Sequence, residues 1–138
     1  MKEIAVMGHE APPADNAGYP LESLILTFET TNDDKDGDTV VSISIDNRTT
    51  AMGGGSVGGG QHWDDWSSHA AAVRVSNRID FYQAGQGHMN VTIHPNGDDE
   101  WHFNVRLDMG FAGGFKRWVT WSGINLAEDR PSIDLTWG

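Results

Sequence analysis

Period-two alternation of apolar and polar residues recurs in short runs from Ser23 to Trp137, and most runs are bounded by Gly, Asn or Asp. A β-strand sends successive side chains to opposite faces, so each such run buries one face and wets the other. The run over 23–30 places Leu24, Leu26 and Phe28 together, and that over 39–45 places Val41, Ile43 and Ile45 opposite Ser42 and Ser44. Further runs follow at 71–75, 89–94, 101–108, 115–121 and 132–137, whereas no stretch of ten residues carries a helical period. Short strands separated by turn residues predict an all-β fold, an antiparallel β-sandwich of about eight strands, and not βαβ units. Its expected core comprises Leu24, Leu26, Phe28, Val41, Ile43, Val91, Ile93, Phe103, Val105 and Leu107, with Trp101, Trp121 and Trp137 on the same alternating faces.

At 138 residues the chain is of a size for one core. The expected organisation is a single β-sandwich domain over 21–138, preceded by a loosely ordered arm over 1–20. In that arm Pro12, Pro13 and Pro20, with Gly8 and Gly18, interrupt any regular pattern. A second interruption, the glycine-rich stretch from Gly53 to Gly60, reads as a flexible loop. No Lys-Ser or Lys-Thr pair follows it, so it is not a phosphate-binding loop.

Nine Lys and Arg against twenty Asp and Glu leave a formal net charge of -11. That charge repels nucleic-acid backbones, and no nucleic-acid partner is expected. Neither a signal pattern nor a run of about 20 apolar residues stands in the sequence. With no Cys, disulfides, thiolate metal sites and cysteine nucleophiles are excluded.

The densest chemistry lies in the segment from Asn32 to Thr39, between two expected strands. Asp33, Asp34, Asp36 and Asp38 put four carboxylates within six residues, next to Gly37. Calcium takes six to eight oxygen ligands, roughly the kind of set such a turn supplies, and repulsion between the carboxylates calls for a cation or solvent to screen it. The same residue types also build ordinary solvated hairpin turns. Asn32, Asp34, Asp36 and Gly37 fit the first half of an EF-hand loop, but Ile43 occupies the twelfth position, where a bidentate Glu is needed. Two further acidic turns, Asp64-Asp65 and the segment Asn96 to Glu100, are placed to converge on the same end of a sandwich. The candidate metal ligands are therefore Asn32, Asp34, Asp36, Asp38, Asp64, Asp65, Asn96 and Asp98, with calcium as the expected ion.

His62, His69, His88, His94 and His102 lack zinc-motif spacing and read as surface residues. No nucleophile elbow or other catalytic constellation is present, and enzymatic activity is not expected. Trp63 and Trp66 flank Asp64-Asp65 beyond the glycine run, in a segment with little core to receive them. Rings in that setting suit insertion at a lipid headgroup boundary or stacking on a sugar, or else pin the loop onto the sandwich; Trp63 and Trp66 are the partner-binding candidates, expected to be accessible.

The order of these features resembles the PLAT (polycystin, lipoxygenase, alpha-toxin) domains over about Leu24 to Asp108. The resemblance is carried by the turn ending Gly37-Asp38-Thr39, by Trp63-Asp64-Asp65, and by the stretch from Asn96 through Glu100 and Trp101 to Val105. It implies a calcium-dependent, lipid-binding β-sandwich in which Asp36, Asp38, Asn96, Gly97 and Asp98 take the calcium positions. In the family the first turn ends Gly-Thr-Asp, the reverse of the order found here. The expected function is a non-enzymatic, calcium-dependent module, secreted or acting extracellularly. It would dock on membrane lipid headgroups or a surface receptor, as the targeting part of a toxin or secreted effector does. The alternative is a lectin-like β-sandwich that binds glycans and uses calcium structurally. The sequence implies no oligomeric state.

Overall fold

The computed structural model describes residues 5–12, 18–95, 97 and 99–138. Nine strands follow in chain order: β1 (Val6–Glu10), β2 (Leu21–Asp33), β3 (Val40–Asp46), β4 (Ala51–Val57), β5 (Ser68–Val75), β6 (Gly87–His94), β7 (Glu100–Phe111), β8 (Lys116–Ala127) and β9 (Ser132–Trp137). Two short 3₁₀ turns, Phe81–Gly85 and Ala112–Gly114, are the only helical elements among the described residues. No helix among the described residues is long and apolar enough to cross a membrane.

Every strand pairing is antiparallel, and the strands form one sheet in the order β1-β8-β7-β2-β5-β4-β3-β6-β9. The sheet folds over on itself as a sandwich at the seam between β5 and β4, where the pairing narrows to Gly53 with Val75 and Gly54 with Arg74. A side chain at Gly53 would collide with the Arg74 carbonyl oxygen, so the seam closes only because that position has no Cβ. On the opposite side the indole Nε1 of Trp121 in β8 donates to the carbonyl of Thr136 in β9 at 3.0 Å, which brings the ends of the sheet together and leaves it nearly closed.

All ten residues expected in the core are buried. β3, β6 and β7, and β2 beyond its first residues, alternate buried positions with half-buried or exposed ones as the period-two pattern requires. At one end of the core Phe28, Trp63, Trp101 and Phe103 pack as a block, with ring centroids 5.3 Å apart for Phe28 and Trp63 and 3.8 Å apart for the stacked Trp101 and Phe103. Aromatic pairs of this kind add about 0.5–1.5 kcal/mol each beyond area burial.

Two expectations are corrected. Residues 6–10, assigned to the loose arm, form edge strand β1, paired with β8 from Val6 opposite Thr120 to Glu10 opposite Lys116. Gly8 admits the Trp118 ring lying across it, and that close packing secures a strand with no alternation of its own. The rest of the arm at 1–4 and 13–17 lies outside the described residues. The glycine stretch is not a free loop either, because Gly53 to Val57 belong to β4, hydrogen-bonded to β3 from Ile45 opposite Gly53 to Val41 opposite Val57.

Candidate functional site

The acidic segments meet at one end of the sandwich, and a two-residue bridge organises them. Lys35 and Trp63 pair antiparallel: Lys35 N–H donates to the Trp63 carbonyl at 3.1 Å, and Trp63 N–H to that of Lys35 at 2.9 Å. Both side chains point inward. Alternation then turns Asp34 and Asp36, the neighbours of Lys35, and His62 and Asp64, the neighbours of Trp63, to the outside.

The inner side is filled by the chain's own cation. Lys35 is fully buried, and its Nζ donates to the carbonyls of Asp36, Thr39, Gly58 and Gln61 at 2.9, 3.0, 2.8 and 2.5 Å. It also lies 4.9 Å from the centroid of the Trp63 ring, within cation–π range. Burial lowers the pKa of this ammonium, while Asp99, Asp36 and Asp38 oppose the shift. Gly58 closes the cage: it sits at φ 71°, and a Cβ there would stand 2.9 Å from the Lys35 Cε and 3.0 Å from the indole. Asp99, only 6% exposed, fastens the neighbouring turn by accepting from Thr39 Oγ1 at 2.6 Å and from Asp36 N–H at 3.2 Å.

On the outer side His62 Nε2 stands 2.5 Å from Asp34 Oδ2 and 3.6 Å from Asp64 Oδ1. Asp34, Asp36 and His62 offer ligand atoms within 4.8 Å of one another, a spacing that suits one metal ion. The hydrogen bond to Asp34 raises the His62 pKa, and the charges of Asp34, Asp64 and Asp36 add to it. Desolvation raises that of Asp36, reinforced by repulsion from Asp99, Asp34 and Asp38. A second group of the same spacing, Asp33, Glu100 and His102, lies alongside. His102 Nδ1 is 3.0 Å from Asn32 Oδ1, and its Nε2 is 3.1 Å from Glu100 Oε1. Glu100 also borders an open cleft of about 460 Å³ that it shares with Asp99, Ala127, Glu128 and Asp129.

Of the sequence-derived ligand candidates, Asp34 and Asp36 stand together and Asp64 stands close by. Asn32 instead binds His102, while Asp38 and Asp65 are exposed and belong to neither group of three. Asn96 and Asp98 lie outside the described residues. His62 and His102, read from sequence as isolated surface histidines, are members of these groups. The signal for His62 is its place one residue before Trp63, which puts it on the outer side of the bridge.

The two partner-binding candidates divide. Trp63 is 1% exposed, stacked at 10° on His69 and packed on Phe28 and Trp101, so its ring is core and not a docking element. Pairing with Lys35 turns it inward, which corrects the expectation of an accessible ring. Trp66 is 74% exposed and holds φ 61°, a left-handed conformation rare for a bulky side chain. Its N–H donates to the Thr31 carbonyl at 3.1 Å, so the ring is presented from a fixed backbone.

No family model, curated protein or solved structure matches the chain.

Proposed function

We propose that this chain is a non-enzymatic binding module that docks through its acidic end, with a divalent cation held by Asp34, Asp36 and His62 and the Trp66 ring as anchor. The observation that carries this reading is Trp66: a large ring 74% exposed, at a strained φ, in the loop that also carries Asp64 and Asp65. Strain of this kind persists where the surroundings hold it, and it gathers at ligand-contacting positions. A cation at the outer carboxylates would offset part of the charge that otherwise repels an anionic surface, and could bridge to phosphate oxygens while the indole enters the headgroup boundary. Calcium is the ion proposed for this oxygen-rich set. The imidazole of His62 is the reason to test zinc beside it. On this reading the module works outside the cell as the targeting part of a secreted effector.

Sedimentation with vesicles of phosphatidylserine and phosphatidylcholine tests it. Binding should require the cation and be lost in Trp66→Ala. Vesicle binding unchanged by that substitution, or by chelation, contradicts the proposal. The carbohydrate reading draws on one feature, carboxylates at Asp64 and Asp65 beside an exposed indole, the pairing of stacking face and hydrogen-bond acceptor that suits a sugar. A glycan array probed with wild type and Trp66→Ala separates it from the lipid reading.

A further inference from the structure

On the face of the sheet away from the acidic end, one histidine ties three adjacent strands. In the register Asp46 of β3 lies opposite His88 of β6, and Asn90 of β6 lies opposite Asp134 of β9. His88 Nδ1 is 3.0 Å from Asp46 Oδ2, and its Nε2 is 2.8 Å from Asp134 Oδ1. Ionised carboxylates only accept hydrogen bonds, so both contacts form together only when both ring nitrogens carry protons. The ring is then an imidazolium shared by two carboxylates, one on each neighbouring strand.

The carboxylates are themselves held in place. Asp46 Oδ1 accepts from Arg48 N–H at 2.8 Å, in the turn where Arg48 adopts φ 79°. Asp134 Oδ1 also accepts from Asn90 Nδ2 at 2.9 Å. Among the described residues, the charged groups that act on His88 are Asp46 from β3 and Asp134 from β9. The Arg48 guanidinium is directed to the Trp137 carbonyl at 3.3 Å. His94, on the same face of β6 but at its far end, is occupied with Ser42 at 2.9 Å.

We propose that His88 is a proton-operated latch, holding edge strand β9 to the sheet while doubly protonated and loosening it on losing a proton. A neutral ring keeps one N–H, so one carboxylate then faces a lone pair, and Asp46 and Asp134 no longer share a cation. β9 is the last strand of its edge, and opening it would uncover the pairing edge of β6 together with Leu135 and Trp137. The hydrogen bond to Asp134 is the largest cause raising the His88 pKa, that to Asp46 adds to it, and burial opposes both. A group whose pKa is raised by folding gives its full stabilisation below its unfolded value, about 6.5, and loses it as pH rises through the folded value. The latch is therefore closed in mild acid and opens toward alkaline pH.

The test combines long-range ¹H–¹⁵N spectra of the His88 ring with amide hydrogen exchange, between about pH 5.5 and 9 and corrected for intrinsic rates. Wild type should show both ring nitrogens protonated in acid and a midpoint above about 6.5. β9 amides should lose protection about tenfold for each unit by which that midpoint is raised, while β1 amides at the other edge do not change. Asp134→Asn should return the midpoint toward about 6.5, and His88→Gln should remove the pH dependence of β9 protection. A ring singly protonated throughout, or β9 protection that tracks that of β1 across the range, overturns the proposal. Wild type alone decides this if a variant does not fold.

Discussion

Trp63 and Trp66 stand in one short loop, separated by Asp64 and Asp65, and the fold uses them in opposite ways. Trp63 pairs with Lys35, turns inward and closes the aromatic end of the core, whereas Trp66 is held in a left-handed backbone with its ring in solvent. The same division runs along the facing segment. Lys35 is buried among four carbonyl oxygens, while Asp34 and Asp36 on either side of it face out toward His62. The inner half of this end carries its own cation and serves stability. Its outer half gathers Asp34, Asp36 and Asp64 around the imidazole of His62.

The largest effect should come from breaking the inner half at its ring. Trp63→Ala removes a buried indole and should destabilise by roughly 3–5 kcal/mol in denaturant unfolding. Trp66→Ala should change stability by less than about 1 kcal/mol, so equal effects of the two would erase the distinction. Next comes Lys35→Met, which keeps much of the stem but strands four carbonyls and removes the positive charge near Asp99. A loss of about 3 kcal/mol is expected in the same measurement, with no addition of calcium restoring it. The smallest stability effect belongs to Trp66→Gly. Glycine adopts φ near 60° without strain, so this variant should fall within about 1 kcal/mol of wild type and still lose vesicle binding. Loss of fold in place of loss of binding would move Trp66 to the structural side.

A proton measurement sharpens the outer half. The bond to Asp34 raises the pKa of His62, so its stabilising effect is complete below about 6.5 and disappears as pH rises through the folded value. Asp34→Asn should bring the NMR midpoint of His62 down toward about 6.5. A midpoint unchanged in that variant would show that the pairing with Asp34 is not what holds the proton.

Alternation made the strands legible where side chains were there to alternate. Leu24, Leu26 and Phe28, or Phe103, Val105 and Leu107, name their own buried face, and all are buried. β4 was invisible because Gly53, Gly54 and Gly55 carry no side chains to show a period, although their lack of bulk is what lets the seam close. β1 was hidden by Gly8, whose value is the room it gives Trp118 from another strand. The gathering of acidic turns at one end could be read from loops lying between strands. The roles of Lys35 and Trp63 could not, because a lysine among aspartates looks like a solvated counter-charge until the bridge turns it inward. The histidines were missed for a related reason: the partners of His62, His88 and His102 include residues from other strands and loops, and spacing along the chain carries no trace of them.

The fold is proposed to stand without metal, and the outer carboxylate–imidazole group to take one. Thermal unfolding with calcium, with zinc and with chelator, run on wild type and on Asp34→Ala with Asp36→Ala, tests both parts at once. Wild type should unfold cooperatively in chelator, because Lys35 already serves the interior. It should gain about 2.7 kcal/mol at a hundredfold excess of the bound ion over its Kd, and the double variant should lose that gain. No shift with either ion, or a shift that survives in the double variant, would contradict the account.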